Sequence, residues 1–510
     1  MACYHPRVSG WRYDVVVIGS GAGAAALLKP LLSSNASICV LERGGDLAPA
    51  DRPLESEAGR GLLASASPPF AAEPSALGGG TVVYTGNVLR FAPEDFRLRS
   101  RLGDIVGAQV ADWPLSYDEL APYYDQIERE MGVGGDASQN PFEPPRSGPF
   151  PMPAVTLDRA GELATVAAQK LGWHPFPIPT VATAVDGRHP CTRCGLCTAY
   201  QCTQGARWSA RAQLLAAIAE RRMTVHTEVT AVRITTDDAG RRAEAVEYVA
   251  ADGTRCFVHG RAIVVAANAI QTPRILLASA TDKHPRGLAN GSDQVGRNLM
   301  THVMEAFLTI GYVPGADTTR AAGCTVAIQD FYAQSRSGVA LPITLEPRAI
   351  GAFTAFSRMV RQAPSWAALS DDELRARHRD HIVVLSMIED LARADNRVLL
   401  DRIDYAPHAL DVQAAAAGAA RAKELLVAAG ALEIVSVPAR AARFHTMGTC
   451  RMGDDPESTV IDRNGRSHEV QNLYVADASC FVSSAGVNPS LTVQAVARRI
   501  GEHVRDDLAV

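Results

Sequence analysis

Apolar residues in this chain fall into short unbroken runs and longer runs of helical period. Val15, Val16, Val17 and Ile18 follow one another with no polar alternation, the pattern of a parallel strand covered on both faces. Gly19, Gly21 and Gly23 come at once. Apolar positions at Leu27, Leu28, Leu31 and Leu32 then predict a helix starting near Ala22. Pro30 lies inside it without a backbone donor, which predicts a kink or an early end. A second apolar run over 37–41 ends in Glu42. Ser116 and Glu119 form a capping box for a helix ending near Met131, with Leu120, Tyr123, Tyr124 and Ile127 on one face. Helices are predicted over 157–171 and 208–221, strands over 223–234, 244–249 and 262–266, and a helix from there to Ser279. A β-rich stretch follows at 303–312, 340–345, 351–357 and 382–387, then helices over 412–429 and 493–504. Residues 51–76 are rich in Pro, Ala, Ser and Glu without periodicity and read as a long surface segment. Residues 132–153 read as loop.

Strand, glycines, helix, second strand and terminal acid occur in the order of a dinucleotide fingerprint. Gly19 permits the tight turn, Gly21 lets a phosphate approach the backbone, and Ala24 takes the third small position. Glu42 stands eighteen residues past Ala24, where a carboxylate holds a ribose hydroxyl. The fingerprint does not say which dinucleotide. Gly78, Gly79 and Gly80 hold no side chain away from what lies above them, as a loop under a flat cofactor or its phosphates requires. The strand and helix pattern over 205–280 returns the chain to the nucleotide-binding unit.

Composition narrows the partners. A chain of 510 residues suffices for two or three domains, and its 47% hydrophobic and 21% charged content is that of a globular protein. The net charge of −5, with no Lys/Arg block, argues against nucleic acid and anionic membranes. No apolar run reaches the ~18 residues of a membrane span. The fingerprint strand begins within the first fifteen residues, which leaves no room for a targeting peptide and predicts a cytoplasmic protein. The ten cysteines are then expected as thiols or metal ligands rather than disulfides. Cys191, Cys194, Cys197 and Cys202 are spaced unlike the separated pairs of a zinc site. Thiols packed in a tight loop are the better reading, and an iron–sulfur cluster is the alternative. No metal ligands are assigned.

The C-terminal part carries His445-Thr-Met-Gly448-Thr, then Leu473-Tyr-Val-Ala-Asp477-Ala478, then Gly486-Val-Asn488-Pro489. Imidazole is a usable base near neutral pH. The bland alternatives are a core histidine capping the turn at Gly448, and an Asn-Pro that only starts a helix. Glu389 and Asp390 read best as an exposed acidic turn before Arg393. Facing a pocket instead, they would favour an amine-bearing or polyol substrate.

These residues resemble the glucose–methanol–choline family of FAD-dependent oxidoreductases over nearly the whole chain. The N-terminal fingerprint, the 78–87 loop, Asp112-Trp-Pro-Leu-Ser-Tyr, the cysteine loop ending Gly205-Ala-Arg, the 265–277 stretch and Asp293-Gln-Val-Gly-Arg-Asn298-Leu-Met all carry the resemblance. His445-x-x-Gly-Thr and Gly-Val-Asn488-Pro are its most specific parts. Within the family the chain looks most like the branch of pyranose oxidases and sugar or polyol dehydrogenases. The resemblance implies an α/β fold. A Rossmann-type FAD-binding domain of residues 1–110, 205–300 and 431–510 is expected to interleave with an α+β substrate domain of 111–204 and 301–430. The second domain would hold an antiparallel sheet and the cysteine loop at 191–202.

The resemblance further implies that FAD lies against Gly19, Gly21, Gly23, Ala24, Glu42, Arg43, Gly79, Gly80, Thr81, Asn87, Val229, Ala267, Asp477, Ala478, Asn488 and Pro489. Asp477 and Ala478 would meet its ribityl and phosphate portion, and the Val229 backbone its adenine side. Members with covalent FAD carry a histidine after the glycine turn. The segment 81–84 has none, so dissociable FAD is expected. His445 becomes the expected base and Asn488 its hydrogen-bonding partner at the substrate hydroxyl. The expected reaction is oxidation of CH–OH to carbonyl on a carbohydrate, amino sugar or cyclitol, with O2 or another carrier reoxidising the flavin. The alternatives are an apolar or steroid-type alcohol, a non-redox lyase, and an electron-transfer protein built on a cysteine cluster. His302 is given no role.

Overall fold

The computed structural model describes residues 13–46, 73–182, 188–197, 202, 204–220, 222–302, 308–334, 341–437 and 445–509. Expected features at 47–72, 198–201, 303–307 and 340 lie outside the described residues. Strand Tyr13–Ile18 lies inside a seven-stranded sheet, with Ile38–Leu41 parallel on one side and Arg255–Val265 parallel on the other. Thr224–His226 extends the parallel run beyond Ile38–Leu41, and Leu473–Val475 joins Arg255–Val265 in the same sense. Val15 to Ile18 are buried, which explains their lack of alternation. Helices Ala22–Leu32 and Ser490–Leu508 pack together over this sheet. A Cβ on Gly501 would sit 2.3 Å from the Leu27 carbonyl oxygen, so only glycine allows that approach. The first helix ends at Leu32, two residues past Pro30.

Two strand expectations need correction. The run at 223–234 is not one strand but Thr224–His226 and Thr230–Thr236. Glu228 breaks it at φ 59°, and the Glu228 and Val229 N–H groups turn aside to bond Gly44 O and Glu42 O. The strand placed at 262–266 starts at Arg255, because its first half pairs antiparallel with Ala243–Val249 before its second half enters the parallel run.

The second sheet is antiparallel and six-stranded. Its order is Glu433–Val437, Leu308–Tyr312, His381–Ile388, Ile343–Arg348, Val326–Ile328, Pro175–Pro177. Helix Ala409–Ala428 packs against it. Glu433–Val437 returns from this helix to pair with Leu308–Tyr312, so it belongs here and not to the nucleotide-binding unit expected to begin at 431. The strand expected at 351–357 is a helix, Phe353–Val360. Phe356 and Val360, one turn apart, are buried against Trp366 and Leu374, and helical spacing is what brings both to that cluster.

Eight described cysteines are free thiols, among them Cys191, Cys194, Cys197 and Cys202. Cys256 is disulfide-bonded, so the expectation of thiols does not extend to it. Among the described residues no group of three or more His, Cys, Asp or Glu is arranged to hold a metal ion. Among the same residues no helix is long and apolar enough to cross a membrane.

Candidate active site

The fingerprint residues converge because the strands that carry them run parallel. Gly19 to Ala24 follow Tyr13–Ile18, Glu42 and Arg43 follow Ile38–Leu41, Ala267 follows Arg255–Val265, and Asp477 and Ala478 follow Leu473–Val475. Their carboxyl ends open one crevice, the place where such sheets take nucleotides. The glycines divide by what surrounds them. A Cβ on Gly19 would meet the Ala266 carbonyl oxygen at 2.3 Å, and one on Gly23 the Ala476 carbonyl oxygen at 2.1 Å. A Cβ on Gly21 or Gly80 would meet no atom of the described residues within 4 Å. Gly79, at φ 53°, brings its loop against the Gly21 backbone. The helix after Gly21 has no side-chain cap, which leaves its first N–H groups free to bind an anion. A glycine-lined space at an uncapped helix start fits the phosphates of FAD.

Ser20 ties this crevice together, and sequence reasoning did not single it out. Glu42 Oε2 accepts from Ser20 N–H at 3.1 Å and from Ser20 Oγ at 2.6 Å, and Oε1 accepts from Gly44 N–H at 2.7 Å. Ser20 Oγ accepts from Gly78 N–H at 3.0 Å. Burial raises the Glu42 pKa, and the Ser20 and Gly44 bonds oppose the rise. Thr81 Oγ1 donates to Gly78 O and accepts from Ala210 N–H, locking the glycine turn. Asp477 accepts from Asn268 N–H, Thr272 Oγ1 and Ser479 N–H, so its carboxylate is held by the protein. Val229 is buried beside Glu42, and Arg43 Nε donates to Ser75 Oγ.

His445 adopts φ 58°, rare for a residue with a side chain. It is held there by a backbone bridge in which Met300 and Met447 exchange N–H···O bonds of 2.9 Å. The same bridge brings His302 to His445, with the two Nδ1 atoms 2.8 Å apart. His302 Nε2 lies 3.0 Å from the Ala485 carbonyl oxygen and 3.3 Å from that of Ser484. Burial lowers the His302 pKa to about 4. His445 is also held well below the usual imidazole range, first by burial and then by His302 and the Arg348 guanidinium.

Glu346 and Arg348, on the second sheet, face this centre. They form a buried ion pair, and Asn87 Nδ2 and the Asn488 side chain also hydrogen-bond the Glu346 carboxylate. Burial raises the Glu346 pKa, while Arg348, Asn87 and Asn488 pull it back. Three buried acceptor oxygens here, Glu346 Oε1, Asn87 Oδ1 and Asn488 Oδ1, receive no hydrogen bond from the described residues. Asn488 is thus tied to the Glu346–Arg348 pair, and Arg348 acts on His445 through its charge. Neither of these two charged residues was anticipated. Their signal is a Glu and an Arg inside an otherwise apolar strand, Ile-Thr-Leu-Glu-Pro-Arg. Pro489 caps the helix Ser490–Leu508, so its helix-starting role stands beside any contact with FAD.

Glu389 and Asp390 are not an exposed turn. Both are buried, because the 484–486 loop closes over the end of strand His381–Ile388. Asp390 accepts from Thr301 N–H at 2.6 Å and Tyr405 OH at 2.8 Å, and its own N–H donates to Ser484 Oγ, so it braces the backbone on both sides of His302. Glu389 lies 3.7 Å from Arg101 and is pushed up to about 8, by burial first and then by Asp95. His381 is a core residue, bonded to Ile350 N–H and His378 O.

Two family models, each described as GMC oxidoreductase, match residues 56–304 and 389–497. Paromamine 6'-oxidase of Streptomyces fradiae is 34% identical over 97% of this chain and 92% of its own length. 6'''-Hydroxyparomomycin C oxidase of Streptomyces lividus is 32% identical over 98% of this chain and 92% of its own length. A solved structure of Aspergillus oryzae formate oxidase, a mutant made to study FAD modification, aligns with a TM-score of 0.69. It covers 98% of this chain and 99% of its own at 17% identity, which makes it a likeness of fold alone.

Proposed function

The chain belongs to the GMC oxidoreductase family, and from that premise we propose that this FAD-dependent alcohol oxidoreductase oxidises a hydroxyl group of an amino sugar to the carbonyl. The observation that carries the substrate class is the set of three buried acceptors around Glu346 that find no donor among the described residues. A buried acceptor left unmade costs about 1–3 kcal/mol. A ligand dense in O–H and N–H groups satisfies all three, whereas an apolar or steroid-type alcohol brings a single donor. A carboxylate among them also suits an ammonium group. Similarity to two amino-sugar oxidases over almost the full chain points the same way.

In this reading Gly21, Gly80 and the uncapped start of helix Ala22–Leu32 hold the FAD phosphates, and Glu42 and Asp477 shape the walls around them. FAD, held without a covalent bond, supplies the acceptor for the carbinol hydride. His445 takes the hydroxyl proton. Asn488, fixed by Glu346 through its amide, turns Oδ1 towards the substrate and orients a neighbouring donor. Arg348 keeps Glu346 charged and discourages a second proton on His445. The second sheet roofs the site and keeps water from it. O2 or another carrier takes the electrons, and the enzyme works in the cytoplasm.

Incubating the FAD-loaded enzyme with paromamine in air tests the reaction class. Mass spectrometry is expected to show a product lighter by two hydrogen atoms, trapped as its hydrazone. Cleavage products in place of a dehydrogenated one would instead establish a lyase.

A further inference from the structure

We propose that His302 sets the tautomer of His445, so that the base offers Nε2 and not Nδ1 to its substrate. His302 is a positioning residue here, and the inference rests on the reading of His445 as the base.

The argument starts at the buried end of the relay. Among the described residues His302 Nε2 faces carbonyl oxygens alone, those of Ala485 at 3.0 Å and Ser484 at 3.3 Å. Carbonyl oxygens accept and cannot donate, so this nitrogen carries the hydrogen. A lone pair there would set two buried acceptors against a third. Burial holds His302 neutral near pH 7, with its pKa lowered to about 4, and a neutral imidazole has one N–H. His302 Nδ1 is therefore a lone pair. It lies 2.8 Å from His445 Nδ1, a hydrogen-bond distance that requires one donor. That donor is His445 Nδ1–H, and the lone pair of neutral His445 is left on Nε2.

Turning either ring over does not rescue the other assignment. A flipped His302 would put carbon against both His445 and the carbonyls and lose every bond it makes. A flipped His445 would lose the contact between the rings. Nor can the rings drift. Met300 and Met447 clamp the two backbones, Asp390 holds Thr301 N–H at 2.6 Å, and Asp390 N–H donates to Ser484 Oγ at 2.8 Å. The rings stand edge to face, at 84° with centroids 5.0 Å apart. Which imidazole nitrogen reacts is decided by the hydrogen bond the other one makes. The base is thus prepared before substrate arrives and loses no free energy to choosing a tautomer.

The decisive experiment is nitrogen-15 NMR of the FAD-loaded protein labelled at histidine, with His445→Gln used only to assign the signals. The proposal expects His445 with a protonated Nδ1 and an unprotonated Nε2 in the parent protein. His302→Leu should give a tautomer mixture, and His302→Asn, whose Oδ1 replaces the Nδ1 acceptor, should restore the parent state. In anaerobic flavin reduction by paromamine, His302→Leu should lower the limiting rate roughly 10- to 100-fold, the cost of losing a residue that orients a metal-bound imidazole taken over to this one, with little change in substrate affinity. His302→Asn should recover most of that loss. A parent His445 protonated on Nε2, an unchanged tautomer in His302→Leu, or equal losses in the Leu and Asn variants would each overturn the proposal. The parent spectrum decides even if His302→Leu fails to fold. It also stands if His445→Ala retains turnover, a result that would remove the base and leave the tautomer assignment intact.

Discussion

His445 and Glu389 show how burial moves the protons of this protein in opposite directions. His445 is kept neutral, which a group that must accept a proton requires. His445→Ala with FAD still bound is expected to lower the rate of flavin reduction by roughly 10²–10⁴, the range for a lost general base. Stopped-flow absorbance reads this directly, and near-parental reduction would remove His445 from the chemistry. Glu389 is pushed from 4.5 up to about 8, by burial and then by Asp95, with Arg101 opposing. A carboxyl raised on folding contributes stability that is fully present below about pH 4.5 and is lost as pH climbs to about 8. Glu389→Gln, neutral at every pH, should therefore match the parent Tm near pH 5 and exceed it progressively towards pH 8.5. Parallel curves of Tm against pH would show that Glu389 is not buried as described. His445 and Asn488 were open to proposal from the sequence because each sits in a motif of fixed spacing. Glu346, Arg348 and His302 were not, because their roles come from pairing between distant segments. Glu346 is opposite Leu385 in the register of strands Ile343–Arg348 and His381–Ile388, and nothing near it in sequence says so.

At the scale of elements, the fingerprint contains two kinds of glycine. Gly19 and Gly23 allow backbone to pack on backbone, whereas Gly21 and Gly80 border open space. Gly21→Ala should leave the Tm of the FAD-free protein near the parent value and sharply reduce FAD binding. Gly23→Ala should lower Tm even without FAD, since its Cβ would collide with the Ala476 carbonyl oxygen. Thermal melts of stripped protein and flavin fluorescence titrations separate the two, and identical behaviour of both variants would refute the division. Strand Tyr13–Ile18, helix Ala22–Leu32 and strand Ile38–Leu41 were readable because each pattern is local and uninterrupted. The 353–360 helix was misread as a strand because it is short. Phe353, Phe356 and Val360 recur at helical intervals, but over two turns that spacing competes with a short apolar run. Strand Arg255–Val265 was read short because its first half alternates in burial, not in residue type, against an antiparallel neighbour. Only its second half has the unbroken apolar run of a covered strand.

For the whole molecule, the site exists because the chain passes repeatedly between two sheets. The parallel sheet supplies the glycine crevice, the antiparallel sheet supplies Glu346 and Arg348, and the 298–302, 445–449 and 484–488 segments join them. The N-terminal fingerprint announced the first sheet, but only the complete fold shows how the C-terminal His445 comes under the second. The central claim is that this assembly removes hydride from an amino sugar. Anaerobic absorbance titration of the FAD-loaded protein with paromamine, simple sugars, cyclitols and a steroid alcohol tests it most directly. The account predicts that the amino sugar bleaches the oxidised flavin band, that the steroid alcohol leaves it unchanged, and that readmitted air or an added carrier restores it. Bleaching by the steroid alcohol alone, or a flavin band that no alcohol alters, would contradict the account.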